Sequence, residues 1–199
     1  MTAPVRETTK IRLVLAALMV FALPGHAWTA PAADIVFEDV FSGFRFPPLL
    51  GSFSYQNRVE YAHVDLGYGM NYLDRTGAAA TIVVYSLNQH GIANGTGDAH
   101  VLEEFEKLDN EIAAFARQGR YASMSRIEAP QLSKAWLQAT HELVRPDGRR
   151  ARVYSFIRGQ NGRFVKIRIT TPSEATLARL PGFLLGVSRA IGMLNAAPG

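Results

Sequence analysis

Residues 135–171 constrain the fold of this chain more tightly than any other stretch. They hold three runs rich in β-branched and aromatic residues, separated by Arg145-Pro146-Asp147-Gly148 and by Gly159-Gln160-Asn161-Gly162. Proline presets φ in the first turn, and glycine supplies the positive φ that tight hairpins need. The segment therefore reads as a meander of three antiparallel strands. Its middle strand has Arg152, Tyr154, Phe156 and Arg158 on one face and Val153, Ser155 and Ile157 on the other. Both faces carry apolar residues, so both need cover.

The rest of the chain supplies that cover. Phe53, Tyr55, Val59 and Tyr61 alternate with Ser54, Gln56, Arg58 and Glu60, the pattern of a half-buried strand. Tyr68, Met70 and Tyr72 begin a second strand. Asp74-Arg75-Thr76-Gly77 reads as a turn, and residues 79–87 as a third strand, apolar on both faces. Asp98 is a plausible N-cap for an amphipathic helix in which Leu102, Phe105, Leu108, Ile112 and Phe115 recur every three or four residues. Gly119 ends it, and residues 121–127 return as a strand. Thr171-Pro172-Ser173-Glu174 has the form of a capping box. Beyond it, Leu177, Leu180, Leu184, Val187, Ile191 and Leu194 keep helical spacing, interrupted by Pro181-Gly182, which predicts a kink or two short helices. Near the start, Ile35, Phe37 and Phe41 suggest a short edge strand over residues 34–41, and Pro47-Pro48 forbids a central strand there. The fold class is α+β: an antiparallel sheet, one helix after the N-terminal strands, and a C-terminal helix. The two helices are expected on opposite faces of the sheet.

The first residues read as a leader. Arg6, Lys10 and Arg12 precede an apolar run over residues 13–23, and Gly25-His26-Ala27 places small residues where a signal peptidase looks. The run is too short to cross a hydrocarbon core of about 30 Å. The expected organisation is a signal peptide at 1–27, an N-terminal arm at 28–50 and one α+β domain at 51–199. Cleavage near Ala27 would deliver the chain to the periplasm or the extracellular space, the rival being retention as an uncleaved anchor. The leader carries three Lys/Arg and one Glu, so the net charge of +4 falls to +2 without it. That balance gives little reason to expect a polyanion partner, and nucleic acid is not expected for an exported chain. The sequence has no cysteine, which removes thiol catalysis, thiolate metal sites, lipoprotein acylation and any disulfide-linked partner.

The order of elements resembles the PsbP/Mog type of α/β/α sandwich. The helix at 101–118 carries the resemblance, together with residues 136–171, their Pro-Asp-Gly turn, and the helix that begins at Pro172. It implies a non-enzymatic accessory or assembly role. No residue motif matches, so it transfers no site residue.

Chemical motifs fall short when read residue by residue. His141-Glu142-Leu143-Val144-Arg145 opens like a zinc-protease helix motif, but Arg145 stands in place of the second His, and on a strand His141 and Glu142 face opposite ways. His90, Asp98 and His100 flank one loop and suit capping or solvation better than a metal. His63 and Asp65, two apart on an expected strand face, suit a structural hydrogen bond as well as acid–base work. Ser52 lacks the glycine pattern and following helix of a nucleophile elbow. Residues 91–97 lack the Gly-Lys-Ser/Thr ending of a phosphate loop and read as a flexible connector. No catalytic residue, cofactor or metal site is expected. Arg149, Arg150, Arg152 and Arg158 form a candidate anion-binding surface on one hairpin, with Arg163, Lys166 and Arg168 on the next strand. If Tyr154 and Phe156 face the core, only Arg149 and Arg150 remain free to bind. The expected function is thus an exported, non-catalytic binding or assembly module for a protein or envelope component. The alternatives are a binder of lipid head groups or glycan, in peripheral contact with an anionic membrane, and a hydrolase with a dispersed site.

Overall fold

Both turns of the meander form as their residues dictate. Gly148 has φ +80°, and Asn161 and Gly162 have φ +49° and +73°. In this computed structural model, which describes residues 37–119, 121–172 and 174–193, the meander consists of β8 (Leu137–Val144), β9 (Arg150–Gln160) and β10 (Arg163–Thr171). The leader at 1–27, the start of the strand expected from residue 34, Ser173 of the capping box and Leu194 lie outside the described residues.

A second meander precedes it: β4 (Phe53–Glu60), β5 (Tyr68–Asp74) and β6 (Ala79–Tyr85). The two join through antiparallel pairing of β6 with β10. With β3 (Leu49–Leu50) and β7 (Ser123–Arg126) at the edges, they make one eight-stranded sheet in the order β3-β4-β5-β6-β10-β9-β8-β7. The expected N-terminal edge strand instead forms its own hairpin, β1 (Phe37–Asp39) with β2 (Phe44–Phe46). Its Phe44 and Phe46 are buried in the main core.

Helix α1 (Ala99–Arg117) connects β6 to the far edge strand β7. Asp98 caps it, its Oδ1 accepting from the amides of His100 at 2.8 Å and Val101 at 3.3 Å. Helix α2 (Leu180–Ala190) follows a 3₁₀ turn at Glu174–Arg179, with Pro181 in its first turn, so the expected interruption is realised as two short helices. Thr171 ends β10, and its Oγ1 bonds to Thr176 Oγ1 at 2.9 Å.

The helices cover opposite faces. Leu180, Phe183, Leu184 and Val187 of α2 pack in the larger core with Phe53, Tyr72, Tyr154, Phe156 and Ile167. Fully burying one such side chain contributes roughly 1.5–3 kcal/mol. On the α1 side, Val101 packs with Val83, Tyr85, Ile157 and Phe164, and Ile112 with Leu143 and Val153.

Three local readings are corrected. A β-bulge between Tyr55 and Asn57 inserts Gln56 and reverses the alternation of β4. Phe53 and Tyr55 therefore border the larger core, whereas Tyr61 packs on the α1 side, and Arg58 turns onto Phe37. His63 and Asp65 are not on a strand, because a 3₁₀ turn at Val64–Leu66 intervenes. Residues 91–97 are not a loose connector, since Gly95 and Gly159 exchange two backbone hydrogen bonds of 2.9 and 2.8 Å. Gly159 must be glycine, because a Cβ there would collide with the Ala93 carbonyl oxygen.

Candidate binding clefts

The four arginines singled out from the sequence do not share one open surface. Tyr154 and Phe156 face the core, and Arg158 is buried with them. Its guanidinium donates to the Gly159 and Ala135 carbonyls at 3.2 and 3.0 Å and to Gln160 Oε1 at 3.0 Å, and it lies 5.7 Å from the Trp136 ring centre. Burial lowers its pKa. Arg152 stands in register with Glu142 and Thr171 on the flanking strands. Arg149 and Arg150 are exposed at the tip, but each already has a carboxylate. Arg149 Nε donates to Asp147 at 2.7 Å, and Arg150 pairs with Glu142 at 3.2 Å. Each of these two arginines thus shares its charge with a neighbouring acid, in exposed pairs that contribute little stability.

A cleft of about 360 Å³ opens elsewhere, between the β1–β2 turn and the 3₁₀ turn at Val64–Leu66. Phe37, Tyr68 and Val84 form its apolar wall. Val40 and Phe41 on one turn are 80% and 87% exposed, and Val64 on the other is 87% exposed. Asp39 fixes the first turn. Its carboxylate accepts from the Phe41 amide at 3.0 Å, Ser42 Oγ at 2.6 Å and Tyr68 Oη at 3.1 Å. Burial alone would raise the Asp39 pKa, but these hydrogen bonds outweigh it and hold the carboxyl below the usual range. Burial, reinforced by the Asp39 charge, raises the Tyr68 pKa, and burial pushes that of Tyr61 up to about 12. Both phenols therefore stay neutral at physiological pH. Arg58 stacks 3.8 Å above the Phe37 ring centre and pairs with Glu60. Arg163 lines the same cleft and makes no side-chain hydrogen bond or ion pair among the described residues. The sequence hid this site because it rests on the bulge that rotates Arg58 and on a turn that leaves Phe41 outside. The broken alternation at Gln56-Asn57 was the available signal.

A second cleft, about 470 Å³, runs along α2. Pro47, Leu49 and Leu50 form one wall, and Leu185 and Ala190 the other. Leu49 is 56% exposed and Leu185 44%. The charged side chains lining it are Arg45 and Arg189.

Beneath α1 lies a set of buried charges. Lys166 Nζ stands 3.1 Å from Glu104 and 2.9 Å from Glu111, and Tyr85 Oη donates to Glu104 at 2.8 Å. Burial opposes the charge on Lys166, but the two glutamates outweigh it and raise its pKa. His141 Nε2 lies 2.9 Å from Asp109 Oδ1, and Arg126 binds the other oxygen of that carboxylate at 2.8 Å. His141 is fully buried, and its Nδ1 has no partner among the described residues. This His–Asp pair joins α1 to β8 and opens to no cleft described above. Ser52, the serine weighed as a nucleophile, instead donates to Asp74 at 2.6 Å. Among the described residues no group of three or more His, Asp or Glu is placed to hold a metal ion, and no helix is long and apolar enough to cross a membrane.

The chain matches no protein-family model and no curated protein.

Proposed function

We propose that this chain is an exported, non-catalytic binding or assembly module that grips an apolar segment of a protein partner in the cleft between the β1–β2 turn and Val64. One observation carries the reading. Phe41 and Val64, each 87% exposed, stand on two turns that flank a cleft with an aromatic wall. Large apolar side chains held out in water on opposing turns mark an interaction site, especially when a polar rim surrounds them. Glu38, Glu60 and Arg163 supply that rim, with both signs of charge, as protein partners commonly require. Asp39 locks one turn, so Phe41 is presented with little ordering cost on binding. The resemblance to the PsbP/Mog type implies the same class of role, and residues 1–27 support export.

A photo-crosslinking residue at Phe41, introduced in cells, is expected to give a discrete adduct that the same residue at Leu102 on α1 does not. No discrete adduct, or the same adducts from both positions, would sink the reading. The mature N-terminus is expected at or near Trp28 after osmotic shock. An intact Met1 recovered from the membrane pellet would refute cleavage and release in favour of an uncleaved anchor.

A further inference from the structure

We propose that the cleft along α2 binds a single-chain anionic amphiphile, an acyl chain ending in a carboxylate, independently of the partner site at Phe41. Its volume of about 470 Å³ falls in the range of roughly 300–1,000 Å³ typical of small-molecule sites. Its two walls are apolar and close-packed at one end, where Gly51 sits against the backbone of Gly182 and Phe183. The Gly182 position has nothing within 4 Å of where a Cβ would be, so the space beside the first turn of α2 is open. Leu49 and Leu185 remain substantially exposed and face each other across the cleft, so they form one apolar surface with Pro47 and Leu50. An acyl chain laid between them removes both from water.

Charge decides which amphiphile fits. The ionisable side chains lining the cleft, Arg45 and Arg189, are both cationic. The Arg189 guanidinium makes no hydrogen bond or ion pair among the described residues. Arg45 donates to Glu38 at 3.0 and 3.1 Å, but that pair is exposed, and its mutual stabilisation is small. A carboxylate can therefore reach one unengaged guanidinium and share a second. A cationic head group would meet two like charges, and a neutral one would leave Arg189 as it is. Arginine also suits carboxylate geometry, since it can donate two parallel hydrogen bonds. The partner cleft differs on this point, because acids and arginines are mixed there.

The test uses the mature chain with dodecanoate below its micelle concentration and dodecyltrimethylammonium as the charge-reversed probe, followed by calorimetry. Dodecanoate is expected to bind saturably, and the cationic probe roughly tenfold more weakly or not at all. Arg189→Glu, a change at an exposed position, should weaken dodecanoate by about tenfold. Arg149→Glu with Arg150→Glu should leave it unchanged, which separates local charge from net charge. Absence of saturable dodecanoate binding, equal binding of both probes, or equal losses in the two sets of variants would overturn the proposal. So would Arg189-dependent binding to anionic vesicles without binding of monomeric dodecanoate, which would make the cleft a contact for a lipid surface. None of these results depends on crosslinking at Phe41, so this site and the partner site stand or fall separately.

Discussion

At the scale of single residues, two carboxylates organise much of the structure through the hydrogen bonds they accept. Asp39 holds the turn that presents Phe41. Asp74, fully buried, closes the β5–β6 turn and ties it to the helical C-terminal region. It accepts from Ser52 Oγ and Thr76 Oγ1 at 2.6 Å, the Thr76 amide at 2.7 Å and Arg179 at 3.0 Å. Burial would raise its pKa, but these donors outweigh burial and lower it. A carboxyl whose folded pKa is depressed adds stability above its unfolded value, near 3.9, and loses it as pH falls through the folded value. Asp74→Ala strands several donors and is expected to cost about 2–4 kcal/mol in urea unfolding near neutral pH. Asp74→Asn should cost less and flatten the acid limb of the stability curve below about pH 4. An Asp74→Ala variant as stable as the parent would show that the turn closes without this carboxylate. The sequence showed Asp74 only as a turn residue, because its partners Ser52 and Arg179 lie 22 and 105 positions away.

At the scale of elements, α1 and α2 were both legible from spacing, but what holds α1 down was not. Periodicity identifies Leu108 and Ile112 of α1 as buried, but it also selects Leu102, which is exposed, where the structure buries Val101 instead. It cannot show that Glu104, between Val101 and Leu108, is buried against Lys166 and Tyr85. The strands of the two meanders were legible because turn chemistry fixes them, whereas the bulge at Gln56 was not, and with it went the facing of Arg58. His141 belongs to the same hidden class: it reads as one strand residue among others, and only the fold brings Asp109 to it. Burial lowers the His141 pKa, the Asp109 carboxylate opposes that, and the positive charges of Arg126 and Arg168 add to the lowering. The folded state thus takes up the proton less readily than the unfolded chain, whose histidine titrates near 6.5. Stability is complete above that pH and falls as the solution is acidified through it. Urea unfolding should show a loss between about pH 7 and pH 5 that is flattened in His141→Gln, before most carboxylates begin to titrate. Equal slopes in the two proteins would mean that another group sets the dependence.

At the scale of the whole molecule, the two faces of the sheet are built on different physics. On the α2 face, Leu180, Phe183, Leu184, Val187 and Ile191 are buried against aromatic and aliphatic strand residues, with Phe183 and Phe53 rings 4.7 Å apart. On the α1 face, two small patches of contact alternate with charged pairs, and Phe105 is only half-buried. Buried ion pairs lose desolvation energy nearly as fast as they gain Coulomb energy, so they set register more than they add stability. Both clefts border the α2-side core, the one between the turns through Tyr68 and Val84 and the other through Leu50. The face that carries the proposed binding sites is therefore the more firmly packed one. Local opening should then begin at α1. In native-state hydrogen exchange, interior amides of α1 are expected to exchange through openings that cost less than global unfolding and are insensitive to dodecanoate. Amides of α2 and β10 should exchange only with the whole domain. Lys166→Met with Glu104→Gln and Glu111→Gln, which replaces the buried charges together, should leave α1 protection near or above the parent level. Lys166→Met alone, which strands the buried Glu104 and the partly buried Glu111, should abolish it. Exchange of α1 and α2 at one common free energy would show instead that the polar seam is as cohesive as the apolar core on the other face.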